Sequence, residues 1–328
     1  MSAIPLTSFQ EIESEWVSLL AQSPVNSLFL TPQWQEIWWN SLGDGQEIAS
    51  FYLRDSRDSK EVLAIASLLR QGDTVTLMGN SETFDYNDFL IRPGYETTFF
   101  TTLLGCLDEK ECRSLELVSL RESSPTLEYL PSLARARGYT VEITEEGVTP
   151  GVALPPTWEE YLSLLSRKDR HELRRKLRRL EGVAGWRWYS VRTPQEVADR
   201  LDEFLALMRQ SDAEKAEFLT PQREEFFHRM ARRTAELGLL RLYFLEMEGR
   251  AVATALCFDY SETRLLYNSG FNPEYGYYSV GLLLNALCLR EAIEQGQGYF
   301  DFLRGPEPYK YHLGGQNRTL YQMMVKRS

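Results

Sequence analysis

Five groups of residues in this 328-residue chain have types and spacing that suit chemistry. The stretch Asn272–Gly281, NPEYGYYSVG, opens straight onto an apolar helical run, SVGLLLNALCLREAIEQG. The amides at such a helix start have no intrahelical acceptor and face the positive end of the helix dipole, a natural seat for a pyrophosphate. Tyr277, Tyr278, Ser279, Val280 and Gly281 are therefore candidate cofactor-binding residues, with Ser279 as the expected cap and Gly281 as the point of close approach. Asp301 lies between aromatics in YFDFL. It is either paired, with Arg304 or Arg264, or a desolvated base whose pKa has risen toward a useful range. Tyr309-Lys310 follows a glycine and two prolines, and Lys310 suits an oxyanion or a phosphate.

The fourth group is basic. SRKDRHELRRKLRRLEG puts Arg167, Lys168, Arg170, Arg174, Arg175, Lys176, Arg178 and Arg179 against Asp169 and Glu172, with leucines on a separate stripe. It is either a solvated helix face or, in an otherwise acidic protein, a local field for an anionic ligand, with Arg174 a candidate contact. The fifth is the DYND run, Asp85, Tyr86, Asn87 and Asp88. Asp85, Tyr86 and Asp88 suit an acceptor's hydroxyls or amine, and an Asx turn explains the run equally well.

These groups need elements to hold them. Strands are expected over LLRLYFLEM, AVATALCFDY and RLLYNSGF, then loop, helix, the strand YFDFLRG, a short helix, and a last strand RTLYQMMVKR. The first half repeats that order: EIASFYLR, EVLAIASLLR and DTVTLMG, then the DYND loop, a helix from Glu96 to Leu107, the strand SLELVSL, a helix PTLEYLPSLARARG, and the strand YTVEIT. The Gly- and Pro-containing EEGVTPGVALPPT reads as a linker between domains 1–150 and 151–328. Thr31-Pro32, Thr193-Pro194 and Thr220-Pro221 each read as an N-cap followed by the first helical residue. Trp34, Ile37, Trp38 and Trp39 read as a core stripe, and SDAEKAEFL as a polar connector.

The order strand–strand–strand–loop–helix–strand–short helix–strand resembles the acyl-CoA-binding half of a GNAT acetyltransferase. Tyr278-Ser279-Val280-Gly281, Phe300-Asp301, and Gly305 followed by Tyr309-Lys310 resemble the FemAB-like, CelD/BioF-like branch. The resemblance covers about residues 157–327 and reaches the first half by architecture. It implies an α/β (α+β) fold of two side-by-side GNAT-like domains, each a mixed, largely antiparallel sheet flanked by helices. It also implies acyl transfer from acetyl-CoA or another acyl-CoA to an amine or hydroxyl of a small molecule, sugar or peptidoglycan precursor. Tyr309 would protonate the leaving thiolate, with Lys310 and Asp301 as further catalytic candidates, and the first half would bind the acceptor. Aminoacyl transfer from a charged tRNA, as in the peptidoglycan-bridge members of this fold, is the alternative, and a non-catalytic binding module is the rival from another class.

Composition narrows the field. Against 36 Lys and Arg stand 47 Asp and Glu, a net charge of −11 that opposes nucleic-acid binding over the whole surface. Four cysteines and three histidines show no metal-ligand spacing, so no metal is expected. Walker, Rossmann and Gly-x-Ser-x-Gly signatures are missing, against kinase, dehydrogenase and hydrolase readings. No signal peptide or bilayer-length apolar run is visible, and a cytoplasmic protein is expected.

Overall fold

The computed structural model describes residues 3–55 and 61–327. Contacts divide the chain into two units, Met1–Gly147 with Arg318–Ser328, and Val148–Asn317.

The first unit runs β1 (Ala3–Pro5), α1 (Glu13–Gln22), α2 (Pro32–Leu42), β2 (Glu47–Ile48), β3 (Phe51–Arg54), β4 (Val62–Ala66), β5 (Leu68–Gln71), β6 (Thr74–Leu77) and β7 (Leu90–Ile91). It continues with α3 (Glu96–Glu109), β8 (Ser114–Arg121), α4 (Pro125–Ala136) and β9 (Tyr139–Val148). Thr31 caps α2 through the Trp34 amide with Pro32 at the first position, as its sequence predicts. Trp34 and Trp38 are buried, whereas Ile37 and Trp39 are half-buried.

The expected strands EIASFYLR and EVLAIASLLR do not stay in one sheet. They divide between a four-stranded sheet, β1-β3-β4-β7, and a six-stranded one, β2-β5-β6-β8-β16-β9, in which β16 is Thr319–Arg327. The break falls at Ser50, whose Oγ accepts from the Leu68 amide (2.9 Å) and donates to the Leu68 carbonyl (3.1 Å). A side chain there satisfies the groups that a continuous ladder would pair, so the strand pair can bend from one sheet to the other. In the six-stranded sheet a parallel pair, β6 with β8, lies between the antiparallel pairs β5–β6 and β8–β16.

The second unit opens with β10 (Gly151–Ala153), a strand inside the stretch that the sequence marks as linker, and it pairs with β15 (Tyr299–Asp301). Between them come α5 (Trp158–Leu164), the basic α6 (Arg167–Glu181), β11 (Arg187–Val191), α7 (Pro194–Ser211), α8 (Ala213–Phe218) and α9 (Pro221–Glu236). The antiparallel strands β12 (Leu240–Met247), β13 (Arg250–Tyr260) and β14 (Thr263–Phe271) follow, then α10 (Val280–Glu294), β15 and α11 (Pro308–His312). The sheet order is β10-β15-β14-β13-β12-β11, with β14 and β15 parallel. The expected polar connector SDAEKAEFL folds as α8, because Asp212 caps it through the Glu214 amide. Thr193 makes a reciprocal capping box with Glu196, as expected.

Both faces of this sheet are covered. Tyr243, Leu245 and Met247 face a core shared with α10, while the alternate residues Leu242 and Phe244 are buried on the other side, so β12 reads as continuous apolar sequence. Helix α10 is buried almost all round, which fits its lack of a polar face.

The last strand, β16 (Thr319–Arg327), departs from the expected domain 151–328: it pairs with β8 in the first unit's sheet. Its side chains fit there because Met323 and Val325 alternate into that unit's core. In each unit the inner parallel strand has an antiparallel neighbour on its other side, β16 beside β8 and β10 beside β15.

Gly270 sits where α7 crosses β14, and a Cβ there would lie 2.4 Å from the Met208 amide nitrogen. Backbone cannot yield as a side chain can. Gly270→Ala should therefore cost about 2–3 kcal/mol, read as a lower urea midpoint, and an unchanged midpoint would refute this packing account.

Candidate functional site

The sheet of the second unit splits. β14 and β15 pair only from Thr263↔Tyr299 to Leu265↔Asp301, yet β14 continues to Phe271. After Asp301 the backbone turns its donors elsewhere. The Phe302 amide goes to the Pro150 carbonyl (2.9 Å), that of Leu303 to Asp301 Oδ1 (2.9 Å), and that of Gly305 to the Val148 carbonyl (3.0 Å). Leu303 adopts φ 57°, a left-handed conformation unusual for a branched residue. The carbonyls of Leu303, Arg304 and Gly305 then converge on Lys310 Nζ at 3.1, 2.6 and 3.1 Å, and Glu307 Oε2 adds an ion pair at 2.9 Å. Lys310 is only 2% exposed.

This geometry changes what two expected catalytic residues can do. Lys310 has its three protons engaged by backbone carbonyls, so its first role is to hold the 303–305 turn, and it is not poised as a free oxyanion donor. Asp301 is buried and braces the Leu303 amide, while Arg264, one of its expected partners, is bound bidentately to Asp259 and to Glu291. Tyr309 lies one residue from Lys310, partly buried against the core and edge-on to Phe302. Burial, with Glu307 nearby, pushes its phenol well above its ordinary pKa. It is protonated at neutral pH.

Opposite this turn lies the free-running half of β14. At Ser269 its backbone is served by side chains: the amide donates to Asn268 Oδ1 (2.9 Å) and the carbonyl accepts from Lys215 Nζ (2.5 Å). Burial lowers the pKa of Lys215, which shares the field of Glu307, Asp212 and Lys310. The β13–β14 ladder shifts register beside Tyr267, and bulges of this kind re-aim a strand next to functional sites. Lys215, Asn268 and Ser269 were not among the sequence candidates. Lys215 sits in a stretch with no apolar periodicity to mark it as structured, and the positions of Asn268 and Ser269 depend on where β15 ends.

The stretch Asn272–Gly281 is more ordered than a loop. Pro273–Tyr278 forms a 3₁₀ turn capped by Asn272, Ser279 takes φ 57°, and α10 starts at Val280. Ser279 makes no side-chain cap, contrary to expectation, because the cap position calls for extended backbone and Ser279 is left-handed. A Cβ on Gly281 would lie 3.0 Å from the Phe271 ring, so the glycine lets α10 start close against the end of β14. Val280 is buried and Tyr278 packs on the core, whereas Tyr277 is 70% exposed. What the helix start offers is therefore its amides, with no acidic residue in the first turn. The arginine at this turn is Arg179, not Arg174. Arg179 donates to the Tyr277 carbonyl (2.6 Å) and its guanidinium covers the Tyr277 ring at 4.4 Å, whereas Arg174 pairs with Glu159 (2.6 Å).

In the first unit the DYND residues are used internally. Asp88 is buried and accepts from Ser124 Oγ (2.5 Å), from Thr126 Oγ1 and from the Phe89 amide (2.8 Å), closing the start of α4. Tyr86 is buried under the Arg121 guanidinium, 4.1 Å from its ring. Neither side chain is presented to an acceptor, and Asp85 is half-buried. Among the described residues no cluster could hold a metal ion, and no helix is long and apolar enough to cross a membrane.

Two outcomes test these assignments. Lys310→Met strands three buried carbonyls and should destabilise the protein by about 3 kcal/mol, whereas a loss below about 1 kcal/mol would return the ammonium to a free role. Desolvation raises the Asp88 pKa to about 6 from 3.8, against its hydrogen bonds and the nearby Arg121 charge, which lower it. The folded state then binds the extra proton, so this stabilisation is complete below pH 3.8 and fades as pH rises through 6. Urea midpoints of the parent minus those of Asp88→Asn should fall across that window, and a flat difference would overturn the assignment.

Comparisons with known proteins fit this geometry. Residues 167–311 match a family model described as an acetyltransferase (GNAT) domain. Among solved structures, FemX superposes with a TM-score of 0.66 at 13% identity, covering 98% of this chain and 97% of that one. L-PGS from Bacillus licheniformis gives 0.58 at 14% identity, covering 100% and 93%. A tandem GNAT protein from the clavulanic acid biosynthesis pathway gives 0.52 at 14%, covering 98% and 97%. No curated protein sequence matches. Identities this low speak to fold alone: the chain has the two-domain GNAT fold, and the stretch that matches the GNAT-domain model lies in its second half.

Proposed function

We propose that the second unit transfers an acyl group from acyl-CoA to an amine or hydroxyl of a sugar or envelope-polymer precursor, in the manner of the FemAB-like, CelD/BioF-like acetyltransferases. The carrying observation is the parting of β14 from β15 at Leu265 and Asp301, with Tyr309 beside the turn that causes it. An extended donor arm fits along the unpaired edge of β14, its pyrophosphate against the amides at the start of α10, which bear no side-chain cap. The acceptor attacks the thioester carbon, the new C–N or C–O bond forms, and the C–S bond breaks. The departing thiolate takes the Tyr309 proton, and the proton that the attacking amine or hydroxyl loses returns to the phenolate, whose burial favours the neutral form. Lys310 acts as a positioning residue through the 303–305 carbonyls.

A second reading has its own observation. The basic helix α6 adjoins the 3₁₀ turn before α10 through Arg179, and the exposed Arg167, Lys168, Arg175 and Arg178 extend that charge. An aminoacyl-tRNA donor would use this face, and its binding would weaken steeply with salt.

Thiol release from acetyl-CoA with a panel of amino sugars, run beside deacylation of aminoacyl-tRNA with a peptidoglycan precursor, separates the two donors. With the productive donor, Tyr309→Phe should lower turnover roughly 10²-fold and leave donor affinity nearly intact. Full activity in Tyr309→Phe would remove Tyr309 from the chemistry, and inactivity with both donors would favour a binding module.

A further inference from the structure

The bend at Ser50 that separates the two sheets of the first unit leaves a cavity of about 170 Å³. Its floor is apolar: Phe51, Leu68 and Val75 from the strands, and Leu103 and Leu107 from the C-terminal half of α3. All five side chains are at least nine-tenths buried. Its mouth is charged, with Arg70, Lys110 and Glu109. A closed apolar void of about 150 Å³ holds a benzene-sized molecule, so this one has room for an apolar group of similar size. It opens at the C-terminal end of α3.

The mouth selects a charge. Arg70 is held by its Nε donating to the Gly72 carbonyl (2.7 Å) and one Nη2 proton to that of Lys110 (3.4 Å). The rest of its planar fork is uncommitted. Neither Arg70 nor Lys110 pairs with a carboxylate among the described residues, and Glu109 supplies one negative charge against their two. An apolar floor beneath a mouth of net charge +1 complements a molecule with a short hydrocarbon tail and one anionic head. We propose that the first unit carries a binding site for a small amphipathic monoanion, a short-chain or aromatic carboxylate, seated between its two sheets with its head on Arg70. The site is independent of the acyl-transfer cleft.

Calorimetry of the full chain with hexanoate tests it. Saturable binding is expected, about tenfold weaker for butanoate because two methylenes leave the floor, and undetectable for hexylamine. Arg70→Met should weaken hexanoate at least tenfold. Cys106→Phe, which fills the cavity from a half-buried position on α3, should abolish binding at an unchanged melting temperature. If that variant misfolds, Arg70→Met decides alone. No saturable heat with hexanoate, equal binding of hexylamine, or a hexanoate affinity unchanged in Arg70→Met would each overturn the proposal.

Discussion

A buried ammonium must be met by oxygen, and in this protein that requirement organises the site. Lys310 sits among carbonyls that would otherwise have to continue a ladder with β14 or reach water. By gathering three of them, it lets the chain leave the sheet after three residues of β15 without stranding polar backbone. The donors of the same segment close onto Val148, Pro150 and Asp301. Left-handed backbone at Leu303 and Gly305 is the cost of that turn, and residues held this way persist when their surroundings over-determine them. The edge of β14 is left open as a consequence.

A second buried cation anchors the opposite end of the same strands. Arg264 is fully buried and binds Asp259 bidentately at 2.7 and 2.9 Å, the Tyr243 hydroxyl at 2.6 Å, Glu291 at 3.1 Å and Gln295 at 2.8 Å. This ties β12, β13 and β14 to the last turns of α10. A network with every donor engaged rigidifies its elements. β14 is thus fixed at its start, beside β15, and free at its end, a division that suits a strand required both to pack and to present an edge.

Much of this order was legible from local pattern. The Thr-Pro starts of α2, α7 and α9, the three antiparallel strands and the apolar α10 all follow from capping residues and periodicity. The less legible parts depend on contacts distant in sequence. RTLYQMMVKR reads as a strand, but nothing local says that its partner is β8, about two hundred residues earlier. The tyrosines and glycine before α10 suggest a phosphate loop, and the Phe271 ring that claims the space beside Gly281 cannot be inferred from spacing. Tyr309-Lys310 stands out as a pair, yet the role of the lysine depends on a turn set by residues 303–305. Asp88 shows another case: its carboxylate bonds the next amide and the Ser124 and Thr126 hydroxyls at the start of α4, a partnership distant in sequence.

The two units share an order of strands and helices, and their helix starts show why they need not share a task. In the first unit, Glu96 stands in the first turn of α3 and takes the Gly94 amide (2.9 Å), while the Asp88 carboxylate fills the start of α4. The positive ends of α3 and α4 are thus already matched with a negative charge from the chain itself. A phosphate would have to displace a carboxylate or sit beside one. In the second unit α10 begins with Val280-Gly281-Leu282, without an acid or a side-chain cap, and Arg179 lies at the turn before it. The two halves thus differ in the charge at their helix starts, and on the proposed reading only the second would accept an anionic donor. The difference rests on Asp88 and Glu96 in the first unit and on the lack of any acid in the first turn of α10.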